Sequence, residues 1–396
     1  MLARDLPKPR GHVFKQRRRP AALARLIYLV ATPGHPNFGD EVIVRRWLET
    51  LAKVEPGSQV WVDCPNPGPA AALLKDAHPD VHFTDTVFRL CWDAPGDSVR
   101  EVDNFVTRAL DDPGEAPRWI PGIDLLRTAD VFHVVGGGYV NTIWPRHTGI
   151  VAVARWMSRA TDARIAATGL GLMPADDGAD ELWREAAPSF DVLTVRDTES
   201  HELFDGAPQA RLAPDDVFLG GLGPLYARDA AGAPEFMLCV QDDLNPSDDF
   251  TPVVETVSST LRAWGAQGQA IGVVECIPRV DRRIYDRLLP EFPDLRFYSL
   301  WEVLRDGFPA AAHQRWISSR FHPHILAAGA GASGVTLSIR EDYYDVKHAA
   351  VRRMGSAWET VSAGQTAGEA GSAGSLPERA DKHSEAVQRI GREIYE

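Results

Sequence analysis

The chain has 396 residues, of which 44% are hydrophobic and 24% are charged, and its formal net charge is −13. These values are typical of a soluble globular protein with two domains. The negative charge disfavours a nucleic-acid-binding function, which needs a basic face to neutralise phosphates. No apolar run is long enough to span a bilayer.

The chain begins with a predicted basic, flexible leader over residues 1–22. Residues 1–20 contain seven Lys or Arg and one Asp, which leaves a net charge of −19 for the remainder. The following apolar run is short, contains Arg25 and lacks a small-residue cleavage site, which disfavours a secretory signal. The four cysteines show no CxxC spacing and predict buried thiols in a reducing compartment. We therefore expect a cytoplasmic protein whose leader could contact the anionic inner face of the membrane.

Short apolar runs that alternate with helical patterns predict βα units and mostly parallel sheets. In the first half of the chain, strands are predicted at 25–30, 59–64, 131–138, 163–171 and 191–197. A second series, predicted after a Gly-, Ala- and Pro-rich segment, lies at 235–241, 269–276, 295–299, 315–319 and 334–339.

This pattern predicts a GT-B-like α/β protein with two Rossmann-like domains, residues 23–222 and 235–358, facing each other across a cleft. Residues 223–234 would form the linker between them. A low-complexity loop over 359–382 and a C-terminal helix over 383–396 complete the chain. The carboxyl ends of both sets of strands would line the cleft, where ligands of such folds bind.

The first candidate motif, PNFGDEVI, follows the first strand. We predict that Asn37 and Gly39 contact substrate, because glycine permits a close approach of the backbone. Asp40 and Glu41 open the next helix, and either carboxylate could orient or deprotonate a hydroxyl. Taken alone, this stretch favours the simpler interpretation, an ordinary helix start with favourable charge placement.

The second motif, GGGY, lies at the end of a buried strand. Gly136, Gly137 and Gly138 would let a ligand or another backbone segment come very close. Asn141 stands where a dinucleotide fingerprint needs its third glycine, and no Walker-type phosphate loop occurs. The triplet therefore indicates a substrate contact but does not identify the substrate.

Two further motifs, TVRDTES and SSRFHPHILAA, place cations at strand ends. Arg196 suits a carboxylate or phosphate ligand, although a local ion pair with Asp197, the expected helix cap, is an equal alternative. Arg320 and His322 are expected on the turn before a helix whose first turn contains Pro323. A helix N-terminus attracts anions, and an imidazole can move a proton near neutral pH.

Two other features complete the candidate site. His322 and His324 could suggest a metal, but the proline and the helix start between them would separate the rings. We therefore predict no metal. Lys347, in YYDVKHAAVRRMG, follows the last strand of the second series and would add a cation to the cleft, with a solvated lysine as the alternative.

Taken in order, NFGDEVI, VVGGGY, TVRDTES, SSRFHPHILAA and YYDVK resemble the motifs of the polysaccharide pyruvyl transferase family, over about residues 25–355. At residues 321–323 this chain has Phe-His-Pro where the family commonly has Leu-His-Ala. This difference keeps both Arg320 and His322. The resemblance implies a GT-B-type enzyme that transfers the carboxyethylidene group of phosphoenolpyruvate (PEP). Its acceptor would be two hydroxyls of a sugar in a polysaccharide or glycolipid, and its product a cyclic ketal.

The resemblance also implies roles for the candidate residues, with PEP as co-substrate and no cofactor. His322 would be the general acid, and Asp40 or Glu41 the base. Three cations would hold the phosphate and carboxylate of PEP: Arg196, Arg320 and Lys347. The N-terminal domain would bind a glycan or lipid-linked sugar and the C-terminal domain the donor.

The alternatives are a nucleotide-sugar glycosyltransferase and a non-catalytic glycan- or anion-binding protein. The acceptor sugar, its linkage, its lipid carrier and the oligomeric state are not specified by the sequence.

Overall fold

Two β-sheets organise the chain, and every strand pairing within them is parallel. The computed structural model describes residues 24–176, 178–241 and 249–396. The predicted basic leader, residues 1–22, lies outside the described residues. The predicted α/β architecture with two Rossmann-like sheets is confirmed.

The N-terminal domain contains a seven-stranded sheet with the order β3-β2-β1-β4-β5-β6-β7. Its strands are β1 (Leu26–Val30), β2 (Gln59–Asp63), β3 (Val81–Thr84), β4 (Val131–Val134), β5 (Arg164–Leu170), β6 (Val192–Val195) and β7 (Ala210–Leu212). Its helices are α1 (Phe38–Val54), α2 (Pro67–Leu74), α3 (Thr86–Trp92), α4 (Val99–Asp111), α5 (Ile120–Leu126), α6 (Gly149–Ala160), α7 (Ala179–Ala186) and α8 (Thr198–Glu202).

The C-terminal domain contains a six-stranded sheet with the order β10-β9-β8-β11-β12-β13. Its strands are β8 (Phe236–Cys239), β9 (Ile271–Val274), β10 (Leu295–Tyr298), β11 (Arg315–Ser318), β12 (Ser333–Ser338) and β13 (Glu359–Ser362). Its helices are α9 (Thr251–Ala263), α10 (Arg282–Leu288), α11 (Leu300–Asp306), α12 (Phe321–Gly329), α13 (Glu341–Met354) and α14 (Leu376–Tyr395).

Short 3₁₀ helices occupy several connections. Two of them, Gly223–Leu225 and Ala230–Gly232, lie in the predicted linker. The others are Pro113–Glu115, Pro117–Trp119, Pro145–Thr148, Ala187–Ser189 and Asp216–Phe218.

The C-terminal part differs from the sequence prediction. The loop predicted over 359–382 contains strand β13, and the last helix begins at Leu376 instead of residue 383. β13 is a short, half-exposed edge strand, so its sequence, ETVS, lacks the continuous apolar run that identified the buried strands. The first turn of α14 contains Pro377, which suits a helix start but also occurs in loops.

The two domains share an apolar core. One cluster of buried side chains contains Ile27 and Trp47 from the first domain together with Met237 and Trp316 from the second. α14 returns to the N-terminal domain, where the Tyr395 hydroxyl lies 2.6 Å from the His133 Nδ1 atom. Contacts of this kind fix the relative position of the two sheets and of the loops between them.

Both sheets follow the doubly wound strand order, which determines where the loops meet. In the first sheet the direction of winding reverses between β1 and β4, and in the second it reverses between β8 and β11. Ligands bind at such switch points, beyond the carboxyl ends of the strands. The backbone N–H of Phe38, at the start of α1, donates to the Cys276 carbonyl at 2.9 Å, so the two edges are in direct contact.

Two further features concern the cysteines and the helices. All four cysteines are free and buried, as predicted. Across the described ranges, no helix combines the length and the apolar character that crossing a membrane requires.

Candidate active site

A cavity of about 560 Å³ lies between the carboxyl edges of the two sheets. It collects residues as far apart in sequence as Asn37 and Lys347, because their motifs all follow the carboxyl ends of parallel strands. The sequence-predicted residues that line it are Asn37, Gly39, Asp40, Gly138, Arg196, Arg320, His322 and Lys347. Glu41, Gly136 and Gly137 are not among its lining residues.

Arg196 directly follows β6 and is almost completely buried. Its Nη1 atom donates to the Asp215 carboxylate at 2.8 Å, and its Cζ atom lies 4.2 Å from the centroid of the Phe321 ring. The expected alternative partner, Asp197, instead caps α8 by accepting the backbone N–H of Ser200 at 2.7 Å. Arg196 is thus held in place from both domains, by a carboxylate of the first and a ring of the second.

His322 lies in the first turn of α12, which begins at Phe321, so it belongs to the helix and not to the preceding turn. The ring packs directly on Gly39 of the other domain, since a Cβ atom at Gly39 would lie only 1.8 Å from the His322 Nδ1. The Nε2 atom lies 3.4 Å from Asp215 Oδ1, which is within ion-pair distance for a protonated imidazole but not aligned as a hydrogen bond among the described residues. Gly39 therefore provides the space that the imidazole occupies.

Asp215 links the imidazole and the guanidinium, and the sequence interpretation missed it. Burial alone would raise the pKa of its carboxyl, but His322 and Arg196 hold that pKa well below its ordinary value. Its other contact is the backbone N–H of Val217, which donates at 2.8 Å. The available signal was the tripeptide PDD, residues 214–216, after a short strand, and it has no spacing relation to the other motifs.

Arg320 occupies the position immediately before α12 and lines the cavity. Its Nε and Nη2 atoms donate to the Asp281 carboxylate at 2.9 and 2.6 Å. Asp281 is fully buried and also accepts the backbone N–H groups of Cys276 and Ile277, at 2.7 and 2.9 Å. This two-pronged ion pair fixes the guanidinium plane before any ligand binds.

The two acidic residues of the first motif face different surroundings. Asp40 lines the cavity, and its Oδ2 atom accepts from Asn37 Nδ2 at 3.0 Å. Burial raises the pKa of the Asp40 carboxyl, although the adjacent His322 opposes this shift. The Oε1 atom of Glu41 instead accepts the backbone N–H of Gly34 at 2.7 Å, and the residue lines a separate cleft. Asp40 is thus the carboxylate with access to a ligand in the cavity.

The glycine triplet makes room for the side chains of the site. A Cβ atom at Gly136 would lie 2.8 Å from the Asp216 carboxylate, which accepts the Gly136 N–H at 3.1 Å. A Cβ atom at Gly138 would lie 2.9 Å from Arg196 Nη2 and 3.6 Å from Lys347 Nζ. A larger residue at Gly138 would therefore displace the cations of the site, and one at Gly136 would displace the Asp216 carboxylate.

The cavity also contains donors suited to an anion. Lys347, on α13, holds its ammonium 3.5 Å from the centroid of the Tyr343 ring. Arg196 Nε and Gln241 Nε2 are buried donors without a hydrogen-bond partner in the described parts of the chain. Buried donors without partners are costly, so a bound anion that accepts from them would be favoured.

One group of possible metal ligands adjoins the site. Cys239, Cys276 and Asp281 bring ligand atoms within 4.8 Å of one another. The Asp281 oxygens already accept from Arg320 and from two backbone N–H groups, and the adjacent guanidinium would repel a cation. These residues therefore do not fit a metal. His324 is directed away from His322, with its Nδ1 atom 3.1 Å from His348 Nδ1.

The environment of Glu41 leads to a testable pH dependence of stability. Burial raises the pKa of this carboxyl from 4.5 to about 8. The folded protein therefore keeps the proton while the unfolded chain loses it, so this contribution to stability is complete below pH 4.5 and is lost as the pH rises to 8. In the wild-type protein this titration should lower the free energy of unfolding by up to about 1.4 kcal/mol for each pH unit. We expect the Glu41→Gln variant to lack this part of the decline.

The measurement is the free energy of unfolding in urea between pH 5 and pH 8. Glutamine retains an oxygen for the Gly34 N–H, so only the titration is removed. Glu49→Gln, on the same helix but at a partly exposed position, is the matched control and should follow the wild-type slope. Equal slopes for Glu41→Gln and wild type would contradict the prediction.

The fold of the chain is similar to that of solved structures with low sequence identity to it. A UDP-N-acetylglucosamine 2-epimerase is 10% identical, with a TM-score of 0.52 over 94% of this chain and 90% of the epimerase. The enzyme from Neisseria meningitidis, solved with bound UDP-GlcNAc, is 9% identical, with a TM-score of 0.50 over 94% and 93% of the two chains. These similarities establish a GT-B-type fold and carry no information on the substrate of this chain.

The sequence comparison is more specific than the fold comparison. No curated protein matches the chain significantly. Residues 37–340 match the family model described as polysaccharide pyruvyl transferase. That range begins at the loop carrying Asn37 and includes Gly138, Arg196 and His322, so it spans both walls of the cavity. The chain is a member of the polysaccharide pyruvyl transferase family.

Proposed function

We propose that this transferase uses PEP as its donor and forms a cyclic ketal on two hydroxyls of a sugar. The observation that supports this most strongly is the convergence of Arg196, Arg320 and His322 on one cavity between the domains. PEP carries a phosphate and a carboxylate, and fixed guanidinium groups are suited to both. The imidazole beside them supplies a group that can transfer a proton.

The donor would be held by the cationic part of the cavity. Arg196 and Arg320 are each anchored by a buried carboxylate, so their positions are set before the ligand arrives. Such preorganisation avoids the entropy cost of ordering long side chains on binding. Lys347 and the buried amide of Gln241 would add further donors to the same anion.

The proposed reaction begins with proton transfer from His322 to the methylene carbon of PEP. The carbon that carries the phosphate then becomes electron-poor, and the first sugar hydroxyl attacks it while losing its proton to a base. Phosphate leaves by cleavage of the carbon–oxygen bond, and the second hydroxyl attacks the same carbon. Of the two hydroxyl protons, one replaces the proton given by His322 and the other is carried away on phosphate.

Asp40 is the proposed base. It lines the cavity beside His322, and burial raises its pKa, which makes its carboxylate a better proton acceptor near neutral pH. Asp215 would position the imidazole, because its Oδ1 atom lies 3.4 Å from Nε2. Glu41 would brace the loop through its bond to Gly34 and take no part in the chemistry.

The Arg196→Lys variant tests donor binding. Lysine keeps the positive charge, but its single ammonium group cannot pair with Asp215 and also present a second planar N–H group to the donor. We therefore expect PEP binding to weaken by about 10–100-fold. Alanine is a poorer test, because it would leave Asp215 buried without its partner and cost about 3–5 kcal/mol of stability. The measurement is isothermal titration of PEP.

Two comparisons make this titration decisive. Arg211→Lys is the control, since Arg211 forms an exposed ion pair with Glu393 away from the cavity. Unchanged PEP affinity in Arg196→Lys would remove Arg196 from the donor site. Uridine diphosphate is titrated in parallel, and tighter binding of this ligand than of PEP would favour a nucleotide-sugar glycosyltransferase.

A further inference from the structure

We propose that the N-terminal wall of the cavity is a subsite for a neutral pyranose ring of the acceptor, with the indole of Trp92 as its platform. This inference deepens the proposed function and depends on it, because only then is the ligand of this wall the acceptor sugar. The wall is formed by the end of α3 and by the segment between β4 and α6.

Trp92 is unusual among the large apolar side chains of the protein. It lines the cavity, yet 55% of it is exposed. Arg146 holds the segment that carries it, because the Arg146 Nη1 atom donates to the carbonyl oxygens of Trp92 and Ala94 at 3.1 and 2.9 Å. The Cζ atom of Arg146 also lies 5.6 Å from the centroid of the indole. An exposed aromatic ring on a fixed backbone is a preformed surface for a ligand.

Two neighbouring rings extend this surface. His147 lines the cavity between Trp92 and Trp144, with ring centroids 6.4 Å from each. The His147 Nδ1 atom lies 2.9 Å from the Tyr139 carbonyl oxygen, so Nδ1 carries the hydrogen of that bond. Burial lowers the pKa of His147, which keeps the ring neutral near pH 7. Its Nε2 atom is then a hydrogen-bond acceptor.

This combination fits a sugar better than a second anion. A pyranose ring has a weakly positive face of C–H groups and an edge of hydroxyls. The face of an indole is electron-rich and attracts such C–H groups, while a neutral imidazole nitrogen accepts from a hydroxyl. Arg89, the charged residue nearest in sequence to Trp92 on this wall, is paired with Asp85 at 2.8 Å. The cavity is thus divided between a cationic part for the donor and an aromatic part for the acceptor.

The test is saturation-transfer NMR with a panel of methyl glucosides, galactosides and mannosides, in the absence of PEP. We expect wild-type protein to transfer saturation to the ring C–H protons of at least one member. Trp92→Ala should weaken its binding about tenfold, which corresponds to about 1.4 kcal/mol, and Trp92→Phe should retain most of the affinity. Trp301→Ala is the matched control, because Trp301 is 60% exposed on α11 and does not line the cavity.

The outcomes separate this inference from the proposed function. Loss of binding in Trp92→Ala, with binding retained in Trp92→Phe and Trp301→Ala, supports the subsite. Undiminished binding in Trp92→Ala, or no binding of any glycoside by the wild-type protein, would overturn it. A parallel PEP titration should be unchanged in all three variants. Failure of wild-type protein to bind PEP would contradict the donor assignment while leaving the glycoside result to stand independently.

Discussion

Replacing His322 with alanine is expected to lower turnover by about 10²–10⁴-fold, the usual contribution of a positioned general acid. PEP binding should be largely retained, because on this proposal Arg196 and Arg320 would still hold the donor, and each is anchored by its own carboxylate. The expected signature is thus a fall in kcat with a nearly unchanged dissociation constant for PEP. The measurements are steady-state release of phosphate and isothermal titration of PEP.

Two further variants sharpen the interpretation of His322→Ala. His322→Gln preserves much of the side-chain volume and a hydrogen-bonding group but cannot act as the acid, so it should be as inactive as the alanine variant. His82→Ala is the control, since His82 lies on the edge strand β3 outside the cavity. Turnover within tenfold of wild type in His322→Ala would exclude the histidine as the proton donor.

The Gly39→Ala variant is expected to reduce kcat by about 10²-fold, although it introduces a single methyl group. A Cβ atom at this position would lie 1.8 Å from the Nδ1 and 2.3 Å from the Cε1 of His322, so the imidazole must move. A displacement of about 1 Å in a reacting group can cost about 10²-fold in rate. The fold should persist, since the atoms that must give way belong to a side chain and alanine is a favourable helix residue.

Gly68→Ala is the matched control for this effect. Gly68 also lies in a helix of the first domain, and a Cβ atom there would meet nothing within 4 Å. Its kcat should equal that of the wild type. If Gly39→Ala were equally active, the imidazole would not pack against the first domain during turnover, and the interdomain arrangement of the site would be wrong.

The sequence predicted the general position of the site because strand ends in parallel sheets converge. The motifs that contain Asp40, Gly138, Arg196 and Arg320 were each placed at or just after the end of a predicted strand, and the structure gathers all four residues around one cavity. This inference needed only the βα alternation and the rule that ligands bind beyond the carboxyl ends of strands. The chemical roles assigned to these residues remain predictions.

The partners of the charged residues could not be predicted. Arg196 pairs with Asp215, which is 19 positions away, and not with its neighbour Asp197. Arg320 pairs with Asp281, 39 positions earlier in the chain. These contacts depend on how loops from different strands pack, and no local spacing encodes them. The same applies to Asp40 and Glu41, whose side chains leave the helix in directions about 100° apart and therefore meet different surroundings.

The central claim is that His322 in this cavity protonates PEP, and that the carboxyethylidene group of PEP is then transferred to a sugar. The most direct test is NMR of the product formed from PEP and a panel of lipid-linked glycans in D₂O. We predict a ketal whose methyl group carries one deuterium from the solvent, with one phosphate released for each ketal. A glycan that acquires no ketal while PEP stays intact, or one that is modified only when a nucleotide sugar is supplied, would contradict the account.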